Sequence, residues 1–153
     1  MSQSFSQIYI QIVFAVKGRE SLINPEWEND LYQYIAGIIK NKHQKPLVIN
    51  GMPDHIHILI GMKPACCLAD LIREIKKSSN DYIRNKTTTR NNFQWQDGYG
   101  AFSYGHSALD KVIAYIKNQK EHHRTKTFRE EYKEFLERFQ IEHEDEYLFE
   151  WIE

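Results

Sequence analysis

Cysteine is nearly absent from this 153-residue chain: there are two, Cys66 and Cys67, side by side. Neighbouring cysteines rarely close a disulfide and make no metal-knuckle spacing, so the expected compartment is the reducing cytoplasm. Long apolar runs are missing as well. No stretch approaches the roughly 20 residues that a membrane span requires, so no membrane-spanning helix is expected. The first residues, Met1-Ser2-Gln3-Ser4-Phe5, lack the basic patch and apolar core of a secretory signal. Internal repeats, low-complexity tracts and interdomain linkers are also lacking.

What is present is the material of one globular domain. The chain is 41% hydrophobic, 13% aromatic and 27% charged, enough to bury a core and too apolar for a wholly disordered protein. Its net charge of −1 hides a division. Residues 1–129 hold 18 Lys and Arg against 11 Asp and Glu, whereas residues 130–153 hold 2 against 10. A basic body suits a polyanionic partner through counterion release, and it equally suits a solvated surface balanced by an acidic tail. Charge alone does not decide between them.

Periodicity supplies the elements. Ile10, Ile12, Phe14 and Val16 alternate with Gln11, Val13 and Ala15, the two-residue period of a strand over Tyr9 to Val16. Asn24-Pro25-Glu26 reads as a helix start, and Leu31, Ile35, Ile38 and Ile39 carry an apolar face to about Lys42. Strands follow at Pro46 to Asn50 and His55 to Gly61, joined as a hairpin by Gly51-Met52-Pro53-Asp54. Leu68, Leu71, Ile72, Ile75 and Ile83 mark a helix to Asn85, and Thr87 to Asn92 reads as a polar loop. Phe93-Gln94-Trp95 and Gly100 to Tyr104 read as a short pair of extended segments.

Ser107 with Asp110, and Thr127 with Glu130, have the spacing of capping boxes. They predict helices to about His122 and Phe139, the second with Phe128, Tyr132, Phe135 and Phe139 on its apolar face. The order strand, helix, strand, strand, helix, strand predicts an α+β fold: a ferredoxin-like split βαβ antiparallel sheet with helices on one face, plus C-terminal helices. The acidic end keeps Tyr147, Leu148, Phe149, Trp151 and Ile152, too many large apolar groups for a plain solvated tail.

Two local patterns bear on chemistry. His55-Ile56-His57 lies on a strand, where residues two apart share a face, so both imidazoles project together as a metal-binding pair would. By itself this spacing also describes ordinary hydrogen-bonded histidines. Tyr115 and Gln119 are four apart on a predicted helix and therefore neighbours, with His122 one turn further on. By itself that too describes a rim tyrosine and a solvated glutamine.

Taken together, these motifs resemble the single-tyrosine transposases of the insertion-sequence 200/605 type, members of the HUH endonuclease superfamily. The similar stretches are Pro53-Asp54-His55-Ile56-His57-Ile58-Leu59-Ile60 and Trp95-Gln96-Asp97-Gly98-Tyr99-Gly100-Ala101-Phe102-Ser103. A third runs Tyr115-Ile116-Lys117-Asn118-Gln119-Lys120-Glu121-His122-His123, followed by Thr127-Phe128 and Glu130-Glu131-Tyr132. The likeness spans about residues 7 to 139.

The resemblance implies a single HUH endonuclease domain over residues 1–139, with residues 140–153 an acidic, aromatic extension outside its motifs. It implies that His55, His57 and Gln119 bind a divalent ion, Mg²⁺ or Mn²⁺, and that Tyr115 is the nucleophile. A phenolate attack on phosphorus would give a 5′-phosphotyrosine and a free 3′-hydroxyl, retaining the ester energy for rejoining. It implies single-stranded DNA with hairpin ends as partner, and a homodimer in which one subunit's tyrosine helix can complete the other's site.

Arg73, Lys76, Lys77, Arg84 and Lys86 on the basic helix, with Arg90 in the loop after it, are the candidate phosphate contacts. Other readings differ by class. One is a domesticated relative that nicks hairpin repeats, and another is a non-catalytic nucleic-acid-binding module. A third is a structural zinc protein using His55, His57, His122 and a cysteine.

Overall fold

The computed structural model describes residues 3–86 and 92–152. Arg90 and most of the Thr87–Asn92 loop lie outside the described residues. Four strands, β1 (Tyr9–Ala15), β2 (Lys45–Met52), β3 (His55–Gly61) and β4 (Gly100–Tyr104), form one antiparallel sheet in the order β2-β3-β1-β4. Helices α1 (Glu28–Asn41) and α2 (Leu68–Lys86) are the two crossovers, and α3 (Leu109–Lys117), α4 (Gln119–His122) and α5 (Phe128–Arg138) follow. This is the split βαβ arrangement that the sequence predicts.

Alternation along β1 and β3 divides the sheet into two faces. Ile12 pairs with Ile58 and Phe14 with Ile56, all fully buried, and α1 and α2 cover that side. The other side carries Gln11, Val13, His55, His57 and Leu59. There, Val112 and Ile116 of α3 pack with Leu59, while Phe135 of α5 stacks on Phe102 and tilts against His57. Helices therefore cover both faces. The expectation of one covered face holds for the crossover helices, and the later helices take the opposite side. The physical reason is visible in β3, where every residue from His55 to Ile60 is buried. A strand with no solvent face needs a layer on each side.

Local boundaries differ from the pattern reading in three places. Asn24 makes a turn, its Oδ1 accepting from the Glu26 amide, and α1 starts only at Glu28. Ser107 falls in a 3₁₀ turn over His106–Ala108 and caps no helix. The predicted Ser107–His122 helix is broken at Asn118, because Asn50 of β2 donates to the carbonyls of Ile116 and Lys117. Thr127 does cap α5, accepting from the Glu130 amide at 3.2 Å.

The two extended segments follow the same stretch of chain: Trp95 bridges Val16 just beyond β1, and β4 lies along Tyr9–Val13. Gly51 is needed in the β2–β3 hairpin, since a Cβ there would collide with the His55 carbonyl. The acidic extension docks. Phe149 is 7% exposed and packs with Phe128 and Tyr132 of α5, and Gln96 exchanges two hydrogen bonds with the Glu150 backbone. Among the described residues no helix is long and apolar enough to cross a membrane.

Candidate metal and nucleophile centre

β3 places His55 and His57 on one face, and both rings are fully buried. Each ring is held at its Nδ1. His55 Nδ1 lies 2.7 Å from Asp54 Oδ1, and His57 Nδ1 lies 2.8 Å from Gln11 Nε2, whose Oε1 accepts from the Tyr104 hydroxyl. Phe128 stacks on His55 at 3.8 Å and fixes the plane of its ring. These outer contacts turn both Nε2 atoms toward a single carboxylate. Glu131 Oε1 is 3.2 Å from His55 Nε2 and 3.0 Å from His57 Nε2. His123 Nε2 reaches the same oxygen at 3.2 Å.

The other oxygen, Glu131 Oε2, accepts from Gln119 Nε2 at 3.0 Å and from the Tyr115 hydroxyl. Gln119 Oε1 faces His55 Nε2 at 3.2 Å. Thus His55, His57, Gln119 and Tyr115 all meet at Glu131. The helix break at Asn118 does not separate Tyr115 from Gln119, because both side chains turn to that carboxylate. His122 stacks obliquely on Tyr115 at 4.3 Å and stands outside the ligand group.

Electrostatics follows from this convergence. Burial raises the proton affinity of Glu131, but hydrogen bonds from His123, His55 and His57 outweigh it and hold the carboxyl far below its usual range. Burial opposes charge on His55, yet Asp54 and Glu131 push its pKa up to about 9. Burial, reinforced by its histidine neighbours, leaves His57 lowered. The Tyr115 phenol is raised by burial and then by the negative Glu131 beside it.

The donor set fits a divalent ion. His55 Nε2 and His57 Nε2 lie 3.2 and 3.0 Å from Glu131 Oε1, and one ligand atom from each of the three residues falls within 4.8 Å of the others. His55, His57 and Glu131 are the group whose ligand atoms cluster for a metal among the described residues. Two imidazoles with one carboxylate suit Mn²⁺ at least as well as Mg²⁺. No cysteine belongs to that group, so the zinc–cysteine reading has no structural counterpart there.

The basic helix lies elsewhere. Lys76 sits over the Phe14 ring, on the sheet face away from the histidines, and its Nζ donates to the carbonyls of Gln96 and Gly98. Arg84 donates to the Phe93 carbonyl. These two cations tie down the Phe93–Gly98 segment. Arg73 pairs with Asp70 at the surface, Lys86 sits 3.7 Å from Asp30, and Lys77 is exposed. None of the five joins the histidine centre.

Glu131, Asp54 and Gln11 are the site residues that motif reading leaves without a role. Glu131 carries the plainest signal. It falls between Phe128 and Phe135 on the apolar stripe of α5, where a carboxylate is costly unless it has partners. Gln11 is a weaker signal of the same kind, an amide in a strand of apolar residues.

A family model described as "Transposase IS200 like" matches residues 4–119. No curated protein matches the chain in sequence. One similar solved structure is a protein from Deinococcus radiodurans R1 assigned as a transposase. It is 19% identical, with a TM-score of 0.60, over 78% of this chain and 98% of that one. Another is a REP-associated tyrosine transposase bound to a REP hairpin, 16% identical with a TM-score of 0.59, over 80% of this chain and 74% of that one. At such identities the likeness establishes the fold alone. The family match ends at Gln119, so Glu131 and α5 lie beyond it.

Proposed function

This chain belongs to the IS200-like transposase family, and we propose that it cuts and rejoins single-stranded DNA through Tyr115. The observation that carries this reading is the meeting of Tyr115, Gln119, His55 and His57 at one buried carboxylate. A nucleophile and a set of metal-type ligands within hydrogen-bond reach of one another are what in-line phosphoryl chemistry requires.

In this reading His55, His57 and Glu131 hold a divalent ion, with the Gln119 amide oxygen as a further ligand. A bound Mn²⁺ or Mg²⁺ would supply Lewis-acid chemistry to the scissile phosphate. Asp54 and Gln11 keep the two rings aimed. Tyr115 forms the O–P bond as the P–O3′ bond breaks, leaving a 5′-phosphotyrosine and a 3′-hydroxyl. Glu131 accepts a hydrogen bond from the Tyr115 hydroxyl and orients it. The phenol proton passes to water as the O–P bond forms, and the departing O3′ takes a proton from water. Reversal with a second 3′-hydroxyl rejoins strands without ATP.

Hairpin-marked ends are the proposed substrate. A second reading, a relative that nicks hairpin repeats without moving an element, is favoured by the fold shared with a transposase bound to a REP hairpin. We assign Arg73, Lys76, Lys77, Arg84, Lys86 and Arg90 as phosphate contacts to the DNA, residues 1–139 as the endonuclease domain, and a homodimer as the working form. The unpaired thiols suit the cytoplasm.

The test is a denaturing gel with labelled single-stranded DNA carrying the flanking hairpins, with Mn²⁺ or EDTA. A protease-sensitive adduct that requires metal and both histidines supports the enzyme. Hairpins paired at both ends of a genomic copy favour transposition, and isolated repeats favour the nickase. Binding without cleavage on a correct substrate leaves a non-catalytic module.

A further inference from the structure

Gln11 stands between the histidine centre and the edge of the sheet. On β1 it lies opposite Leu59 of β3 and Phe102 of β4, and its side chain reaches the diagonal neighbour on each strand, His57 and Tyr104. The amide is fully buried and bonds at both ends. Its Nε2 lies 2.8 Å from His57 Nδ1, and its Oε1 accepts from the Tyr104 hydroxyl at 2.7 Å. Tyr104 is half-buried on the edge strand β4, with Phe139 edge-on to its ring at 5.6 Å.

The two histidines are therefore supported in opposite senses. Asp54 offers His55 Nδ1 a carboxylate, which only accepts, so that nitrogen carries a hydrogen before and after an ion binds at Nε2. Gln11 instead directs a donor at His57 Nδ1, which places the ring hydrogen on Nε2, against Glu131 Oε1 at 3.0 Å. An ion can take the Nε2 lone pair only when that hydrogen sits on Nδ1, and an Nδ1–H then needs an acceptor. An amide has one donor end and one acceptor end. Gln11 must turn over to present Oε1, and its Nε2 then faces Tyr104. A hydroxyl can donate in one state and accept in the other, so Tyr104 satisfies the buried amide in both.

We propose that Tyr104 is a positioning residue of the metal centre, the reversible end of a His57–Gln11–Tyr104 chain that turns over when a divalent ion binds His57. The proposal rests on the metal-binding part of the reading above. It adds that the two imidazoles are not equivalent: His55 is preset for the ion by Asp54, and His57 is switched. Without the ion, the His57 Nε2–H closes the centre on Glu131. With the ion, the reversed amide holds the ring from behind, and the edge strand carries the change at Tyr104.

The experiment pairs two readouts on the full chain. Long-range proton–nitrogen NMR locates the His57 ring hydrogen without metal and with saturating Mg²⁺, which is diamagnetic. The hydrogen is expected on Nε2 before loading and on Nδ1 after it, while His55 keeps a hydrogen on Nδ1 throughout. Isothermal titration calorimetry with Mn²⁺ then compares variants. Tyr104→Phe keeps the ring and removes the hydroxyl, and should weaken Mn²⁺ binding by about 10-fold, the lower end for loss of an outer contact. Gln11→Glu accepts from His57 Nδ1 and Tyr104 together and needs no turnover. It should bind Mn²⁺ about 10-fold more tightly than the wild type.

Wild-type Mn²⁺ affinity in Tyr104→Phe would overturn the role of Tyr104. A Gln11→Glu protein that binds no more tightly than the wild type would overturn the need for an acceptor at Nδ1. Binding of the ion with the His57 hydrogen unmoved rejects the turnover and keeps the metal centre. No Mn²⁺ binding by the wild type rejects the metal centre and the turnover together.

Discussion

The Tyr115 hydroxyl donates a hydrogen bond to Glu131 Oε2, while the other oxygen of that carboxylate faces the Nε2 atoms of His55 and His57. One side chain from α5 thus links the proposed nucleophile to the proposed metal ligands. Any change at Glu131 acts on both.

Glu131→Gln should weaken Mn²⁺ binding, read by isothermal titration calorimetry, by roughly 100-fold, or ~2.7 kcal/mol. An amide at this position keeps the shape and removes the negative charge that the ion needs. Unchanged affinity here with a large loss in Gln119→Ala would move the oxygen ligand to Gln119.

The supports behind the histidines should matter through orientation. Gln11→Leu and Asp54→Ala each release one Nδ1 atom, and loss of such outer contacts costs about 10- to 100-fold in metal affinity. The same titration checks this, with far-UV circular dichroism to show a retained fold. Full affinity in both variants would mean that packing alone, such as Phe128 on His55, sets the rings.

Tyr115→Phe removes only the hydroxyl. The covalent protein–DNA adduct should vanish on a denaturing gel, while Mn²⁺ affinity and single-strand binding stay at wild-type levels. A persistent adduct would identify another nucleophile.

The docked extension should contribute to stability and not merely trail from the domain. Phe149 is 7% exposed against Phe128 and Tyr132. Phe149→Ala should cost about 3–5 kcal/mol, which for a domain of this size lowers the midpoint by roughly 10 °C. A thermal melt measures it, and an unshifted midpoint would show that the extension does not hold to α5 in solution.

Burial pushes the Tyr132 phenol up to about 12, from a reference near 10. The folded state therefore retains a proton that the unfolded state has released. The stability this contributes is complete below about pH 10 and is lost as the pH rises toward about 12. Urea unfolding at pH 9 and pH 11 should show a smaller alkaline loss in Tyr132→Phe, by about 1.4 kcal/mol. Identical losses in both proteins would place Tyr132 in contact with solvent.

Several features were legible because they depend on near neighbours. The alternation of β1 and β3, the shared face of His55 and His57, and the Thr127 cap of α5 all follow from residues within a few positions. So does the βαββαβ order, which constrains the sheet topology. Ser107 misled for the complementary reason: its spacing to Asp110 is that of a capping box, but the chain there turns through a 3₁₀ segment first. The carbonyl partners of Lys76 and Arg84 were not legible, because a stripe of cations on a helix does not reveal which of them a neighbouring loop will hold.

By itself the sequence determined the four strands, the two crossover helices, the paired histidines and the Tyr115–Gln119 spacing, since each is encoded by periodicity over a few residues. Only the tertiary structure decided that Glu131 closes the centre, 74 positions from His57. It alone set Gln11 and Asp54 behind the rings and laid the extension on α5. A buried carboxylate, an amide and an indole find their partners through packing between layers of the fold, and no local period records which layer will face which.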